Sequence, residues 1–295
     1  MRVRTLAVAL LAGGLALTAC GKEGGPGETG SAPSQQVAAD VKVDGSPTFD
    51  KIKARGKVII GVKEDQPGLG YKDPTSGKFT GFDIEIAKLV AAKLGYGDDK
   101  IEYKAIPSAG REQALINGDV DYYVGTYTIN AKRKEQVAFA GPYFTAGQDL
   151  LVKKDDNSIT GKDALKGKKV CSVTGSTPIQ KVKSEGLTEP ENIVELQNYS
   201  QCVEQLEQGA VDAVTTDDAI LKGYASQSPT TLKVVGQTFS NEPYGIGLPK
   251  DDKALRDKIN DILQAALDGG DWQTAYDVTL GKSGSTTDKP VLDRY

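Results

Sequence analysis

The sequence predicts an α/β protein folded as two lobes, and three observations carry that expectation. Its 295 residues exceed one ordinary core, and at about 150 residues per domain they fit two. Strand-like and helix-like runs alternate along most of the chain. Leu115-Ile-Asn-Gly118-Asp-Val120-Asp121 recurs 91 residues later as Leu206-Glu-Gln-Gly209-Ala-Val211-Asp212. Each copy reads as a helix end, a glycine suited to the left-handed position after it, and a short strand.

Taken in order, the elements begin with an address. Arg2 and Arg4 precede an uncharged run of thirteen residues, Thr5 to Leu17, whereas a bilayer-spanning helix needs about twenty. Residues 1–19 are therefore expected to be a signal peptide, ending in Leu17-Thr-Ala-Cys20-Gly21, which resembles a bacterial lipobox with Cys20 as the lipidated residue. Between Gly21 and Thr48, twelve of twenty-eight residues are Gly, Pro or Ser. Such a stretch buries too little apolar surface to offset its ordering entropy, so residues 20–48 are expected to form a flexible tether with ends roughly 30 Å apart.

Strand runs follow at Val58 to Val62, Ile101 to Ala105, Val120 to Val124, Leu150 to Lys153, Lys169 to Val173, Val211 to Thr215 and Leu232 to Val235. Phe82, Ile86, Leu89, Val90 and Leu94 recur at helical spacing, with Thr80 and Asp83 placed as a capping box and Gly95 as the stop. Asp252 to Leu267 and Trp272 to Leu280 read as helices, and residues 282–295 as a fraying tail. In an exported chain Cys171 and Cys202 are expected to pair, pinning a helix to a strand.

Composition narrows the chemistry. There is no histidine, which removes Ser-His-Asp and Cys-His catalysis and His-ligated zinc together. Lys and Arg number 36 against 40 Asp and Glu, giving a net charge of −4 without a long basic block, so nucleic acid is not a partner. No metal or other cofactor is implied.

The candidate site residues lie beyond strand ends, where ligands bind in open α/β sheets. Asn130 reads as the cap of a helix from Ala131 to Val137, which puts Lys132, Arg133 and Lys134 in its first turn. Cations at that positive end are unfavourable by a few tenths to about one kcal/mol each. A solvated basic face neutralised by Glu135 is one reading; a bound carboxylate beside Thr126 and Thr128, held by a bidentate arginine, is the sharper one. Arg111 repeats the anomaly in the short helix before Gly118. Thr177 and Pro178 read as N-cap and first residue of another helix, whose free N–H groups suit a carboxylate or are merely capped. Asp217 is either a cap for the residues after it or an anion presented to an ammonium.

These segments together carry a resemblance. The lipobox and tether, then Gly81-Phe-Asp-Ile-Glu-Ile-Ala87, Thr128-Ile-Asn-Ala-Lys-Arg133 with Phe139 and Pro142-Tyr143, Gly167-Lys-Lys-Val170, Gly175-Ser-Thr177, and Val211-Asp-Ala213 leading to Asp217 resemble the polar amino-acid family of ABC-transporter solute-binding proteins over roughly residues 50 to 280. The resemblance implies a type II periplasmic-binding-protein fold, each lobe a mixed, mainly parallel sheet, with hinge strands near Ala146 to Leu150 and Gln237 to Glu242. Lobe I would comprise residues 49–148 and 240–281, and lobe II residues 149–239. It implies that Arg133 clamps an α-carboxylate with Thr126, Thr128, Ser176 and Thr177, and that Asp217 takes the α-ammonium. Members for acidic amino acids look most similar, with a basic residue at Lys63 and an arginine twenty-two residues before the clamp, here Arg111. The first loop, with Gln66 as a further ligand contact, lacks the aromatic that many members stack on the ligand; Tyr71 and Tyr199 are the substitutes. The implied protein is a monomeric, membrane-anchored glutamate or aspartate binder partnered by ABC permease subunits and not an enzyme. Glutamine binding and a dehydratase on the same fold are the alternatives.

Overall fold

A computed structural model describes residues 34–283 and 287–295. Cys20 and the expected signal peptide lie outside the described residues. In chain order the elements are α1 (Pro47–Arg55), β1 (Val58–Val62), β2 (Tyr71–Lys72), β3 (Phe79–Thr80), α2 (Phe82–Lys93), β4 (Ile101–Ala105), α3 (Arg111–Asn117), β5 (Tyr122–Val124), α4 (Ala131–Lys134) and β6 (Val137–Ala146). There follow β7 (Gln148–Lys153), β8 (Val170–Val173), α5 (Thr177–Glu185), β9 (Ile193–Leu196), α6 (Tyr199–Gln208), β10 (Ala213–Asp217), α7 (Asp218–Gln227), β11 (Leu232–Val234), β12 (Glu242–Pro249), α8 (Lys253–Gly269) and α9 (Asp271–Asp277).

Two five-stranded sheets result, in the orders β4-β1-β5-β12-β6 and β11-β7-β10-β8-β9. Each has three parallel strands at one side: β1 lies between β4 and β5 with Val58 opposite Ile101 and Ile60 opposite Tyr122, and β8 lies between β10 and β9. The chain crosses between the sheets at Gly147, where β6 gives way to β7, and again between β11 and β12. These crossings touch: Phe239 N–H donates to Gln148 O and Gln148 N–H to Ser240 Oγ, each at 2.9 Å. They fall where the hinge strands were expected. The paired glycines of the repeat, Gly118 and Gly209, both end helices in the left-handed region, at φ 72° and 76°.

Burial sorts the elements. On the first sheet, Phe82 meets Tyr143, Phe144, Trp272 and Tyr276 ring to ring, so α2 and α9 share one aromatic core. On the second, fully buried Cys171 in β8 bonds Cys202 in α6 across a Cα separation of 5.5 Å, the expected disulfide.

Several expectations are corrected. Packing starts well before residue 49: Ala38 N–H donates to Ala92 O, Val43 is buried, and Ser46 Oγ caps α1 through Phe49 N–H while donating to Asp252 at 2.7 Å. Asp252 also caps α8, so one carboxylate joins two helix starts. The Thr80–Asp83 capping box does not form, because α2 opens after Gly81 and Asp83 is turned inward to other donors. Ser176, not Thr177, caps α5. The helix after Asn130 stops at Lys134, since Val137 joins β6. Residues 287–295 do not fray: Asp293 N–H donates to Gly141 O and Lys289 Nζ to Leu267 O, both at 2.8 Å.

Candidate functional site

The parallel strand ends point both lobes at one cleft. Lys63 follows β1, Thr126 and Thr128 follow β5, Ser176 and Thr177 follow β8, and Asp217 closes β10. All of these side chains are buried or nearly so, and the lobes meet across them.

Lobe I supplies cations. Arg111 opens α3 and is only 2% exposed; its Nε donates to Ser108 O at 3.1 Å and its NH1 to Thr126 O at 3.2 Å, with the guanidinium 4.2 Å from the Tyr127 ring centroid. Arg133 sits in α4, whose cap is Asn130 as the sequence suggested, and donates to Thr128 O at 2.7 Å. Its guanidinium lies 5.0 Å from the centroid of the same Tyr127 ring and 3.4 Å from Glu112. Burial, then the charge of Arg111, lowers Arg133 to about 10. Lys63 Nζ donates to Ser108 Oγ at 2.8 Å. Burial and the neighbouring Arg111 depress its ammonium to about 7. Among the described residues neither Lys63 nor Arg111 forms an ion pair.

The loop that carries Thr126 and Thr128 is held from behind. Thr126 has φ +44°, a conformation a branched side chain adopts only when its surroundings enforce it. Asp83 Oδ2 accepts its N–H at 3.0 Å while Asp83 Oδ1 takes the Tyr143 hydroxyl at 2.7 Å. Burial raises this carboxyl to about 6. The Thr126 hydroxyl donates to Gln66 Oε1 at 3.1 Å, leaving buried Gln66 Nε2 without a partner.

Lobe II supplies the acid. Asp217 Oδ2 accepts from the Tyr244 hydroxyl at 2.7 Å, and its Oδ1 is buried without a partner. Burial, reinforced by Glu242, pushes its carboxyl up to about 8. It is the N-cap residue of α7, yet its side chain makes no cap hydrogen bond, which favours the second of its two readings. Tyr199 is buried at the start of α6, its hydroxyl raised to about 12 by burial and next by Asp217. Tyr71 lies half-buried in β2.

Besides the Tyr244–Asp217 bond, further contacts bridge the lobes at the site. Arg133 and Arg111 both donate to Gly175 O, at 3.1 and 3.4 Å. Gly175 has φ +80°, and a Cβ there would fall 2.7 Å from Ala109 Cα, so only glycine allows this approach. Thr128 and Thr177 hydroxyls lie 3.4 Å apart, and Thr177 also donates to Glu242 at 2.7 Å. Ser176 spends its acceptor on Ile179 N–H. Farther out, Asp65 accepts from Ser200 N–H at 3.1 Å and from the Tyr224 hydroxyl.

The ten expected site residues lie on the strand ends, loops and helix starts described above. Sequence reading missed Asp65, Asp83, Glu112 and Glu242. Asp83 stood in a quoted motif but was read as a cap, and Glu112 sits beside Arg111 without a pattern to mark it.

With this geometry in view, the comparisons are informative. A family model of bacterial extracellular solute-binding proteins, family 3, matches residues 58–282. A glutamine-binding protein of Geobacillus stearothermophilus is 43% identical over 251 residues, covering 84% of this chain and 92% of its own. The glutamate-binding protein GluB of Corynebacterium efficiens is 39% identical over 292 residues, covering 95% and 91%. Among solved structures, an ancestral arginine-binding protein bound to arginine aligns with a TM-score of 0.70 at 40% identity, covering 76% of this chain and 97% of its own.

Proposed function

This chain belongs to the bacterial extracellular solute-binding proteins, family 3, and we propose that the amino acid it captures is glutamate, with aspartate second. It is an amino-acid-binding protein and not an enzyme, as are the relatives it matches along most of their length. One observation carries the choice of ligand: among the described residues Lys63 and Arg111 are buried cations that form no ion pair, standing beside a third cation, Arg133, that already has Glu112. A buried charge is tolerated when it is paired. Arg133 takes the α-carboxylate, and the orphaned Asp217 Oδ1 takes the α-ammonium. A second carboxylate then satisfies Lys63 and Arg111, which a neutral side chain leaves unpaired.

Matched relatives include both glutamate and glutamine binders, so the test is a direct comparison. Calorimetric titration of the twenty amino acids should place glutamate first, with glutamine weaker by about 1 to 3 kcal/mol, the difference between charge-assisted and neutral hydrogen bonds. Glutamine as the tightest ligand would overturn this reading. We further infer that Cys20 carries a lipid holding the protein at the outer face of the membrane, and that ABC permease subunits receive the ligand. Cys20→Ala should release the protein from the membrane fraction, and loss of the protein should slow glutamate uptake by cells. Retention in the membrane, or unchanged uptake, counts against that part.

A further inference from the structure

Composition marks the segment 287–295 as a tail, yet it is bound to three elements of lobe I. The strand β6 is an edge of its sheet, and edge strands need cover for their outward backbone groups. The segment provides it: Asp293 N–H donates to Gly141 O and the Tyr295 hydroxyl accepts from Phe139 N–H, each at 2.8 Å. Lys289 reaches the end of α8, and Arg294 pairs with Asp261 at 2.6 Å on the same helix. The third element is α4. The Lys134 ammonium stands 3.8 Å from the Tyr295 ring centroid and 3.0 Å from Asp293 Oδ2, while the Arg256 guanidinium lies 4.4 Å from the same ring.

This matters because α4 is four residues long and carries Arg133. One turn does not hold itself, since helix nucleation is unfavourable, so its position depends on what it touches. Inside, among the described residues, the Arg133 side chain reaches carbonyls, Glu112 and the Tyr127 ring. Outside, the neighbouring Lys134 is held by Tyr295 and Asp293. We propose that residues 287–295 are a brace that positions the carboxylate clamp Arg133 through Lys134, with Tyr295 and Asp293 as the positioning residues. The proposal rests on Arg133 being the clamp for the α-carboxylate, and it therefore concerns every amino acid the cleft accepts.

The test is a coupling experiment on the full chain, with glutamate and glutamine as probes. Tyr295→Ala, and separately a chain lacking residues 287–295, should raise the dissociation constants of both probes by the same factor, about three- to tenfold, in keeping with one cation–π contact and one ion pair. Repeated in an Arg133→Lys background, either change should add no further loss, because the group being positioned is gone. Tyr295→Phe keeps the ring against Lys134 and should retain affinity; Lys289→Met, remote from α4, should do the same. Should the shortened chain not fold, Tyr295→Ala alone decides. Equal losses in both backgrounds, or a lower melting temperature with unchanged affinity, would overturn the brace while leaving the clamp intact. An Arg133→Lys chain that binds like wild type would instead remove the clamp, and the brace with it.

Discussion

Lobe I and lobe II face each other across the cleft with unlike means of holding charge. Lobe I offers two arginines and a lysine; the arginines lie against carbonyl oxygens and the Tyr127 ring, and among the described residues only Arg133 of the three forms an ion pair. Lobe II offers Asp217, steadied by a single hydroxyl that comes from β12 of the other lobe. Burial acts on both walls in the direction that suppresses charge, lowering Lys63 to about 7 and raising Asp217 to about 8. Arginine cannot follow, because its guanidinium stays protonated. One wall therefore carries fixed charge plus one adjustable group, and the other is adjustable. Under the proposed assignment, the fixed wall would select the ligand and the ligand's own charges would complete closure against the adjustable wall.

The largest effects are expected at the two charge anchors. Arg133→Ala or Asp217→Ala should weaken every amino-acid ligand by about 2 to 5 kcal/mol, because the partner charge is left buried and unpaired. Calorimetry on both variants checks this, and near-normal affinity removes the residue concerned from the site. Lobe II has its own staple, and cutting it separates stability from binding chemistry. A Cys171→Ser, Cys202→Ser chain should lose about 3 to 4 kcal/mol of unfolding free energy by the loop-entropy estimate, read from denaturant melts. Unchanged stability would show that β8 and α6 hold together without the bond.

A subtler effect should appear in pH titrations between 6 and 9. Binding a carboxylate raises the Lys63 ammonium above its starting value of about 7, so that share of affinity is complete below pH 7 and fades as pH rises, by at most about tenfold per unit. Binding an ammonium lowers Asp217 from about 8, so its share is complete above pH 8 and fades as pH falls. The Asp217 share belongs to all amino acids and the Lys63 share to acidic ones. The ratio of glutamate to glutamine affinity should therefore decline from pH 6 to pH 9, and in Lys63→Met it should be flat. A ratio that climbs with pH would reverse the assignment.

Much of the frame was legible because regular strands advertise themselves. Val58 to Val62 and Ile101 to Ala105 are runs with β-branched or aromatic content and match the observed strands at both ends. The repeat was legible through its glycines. In contrast, β6 and β12 escaped notice as strands: Gly141-Pro142 interrupts one, while Pro243, Gly245 and Gly247 interrupt the other, where the register shifts between Tyr244 and Ile246. Charges at helix starts pointed to Arg111 and Arg133, since each defies local electrostatics. Asp83 and Tyr295 were misread for a shared reason. Their partners, Thr126 N–H and Lys134 of α4, lie more than forty and a hundred and fifty residues away in sequence, and no local pattern records such contacts.

Whether the cations of lobe I, unpaired among the described residues, choose an acidic side chain is decided by Arg111→Met. Titrated side by side with wild type, this variant should lose far more affinity for glutamate than for glutamine, shrinking a preference of about 1 to 3 kcal/mol toward zero. A variant that keeps the wild-type ratio of the two ligands would show that Arg111 only shores up the Thr126 loop and that selection lies elsewhere.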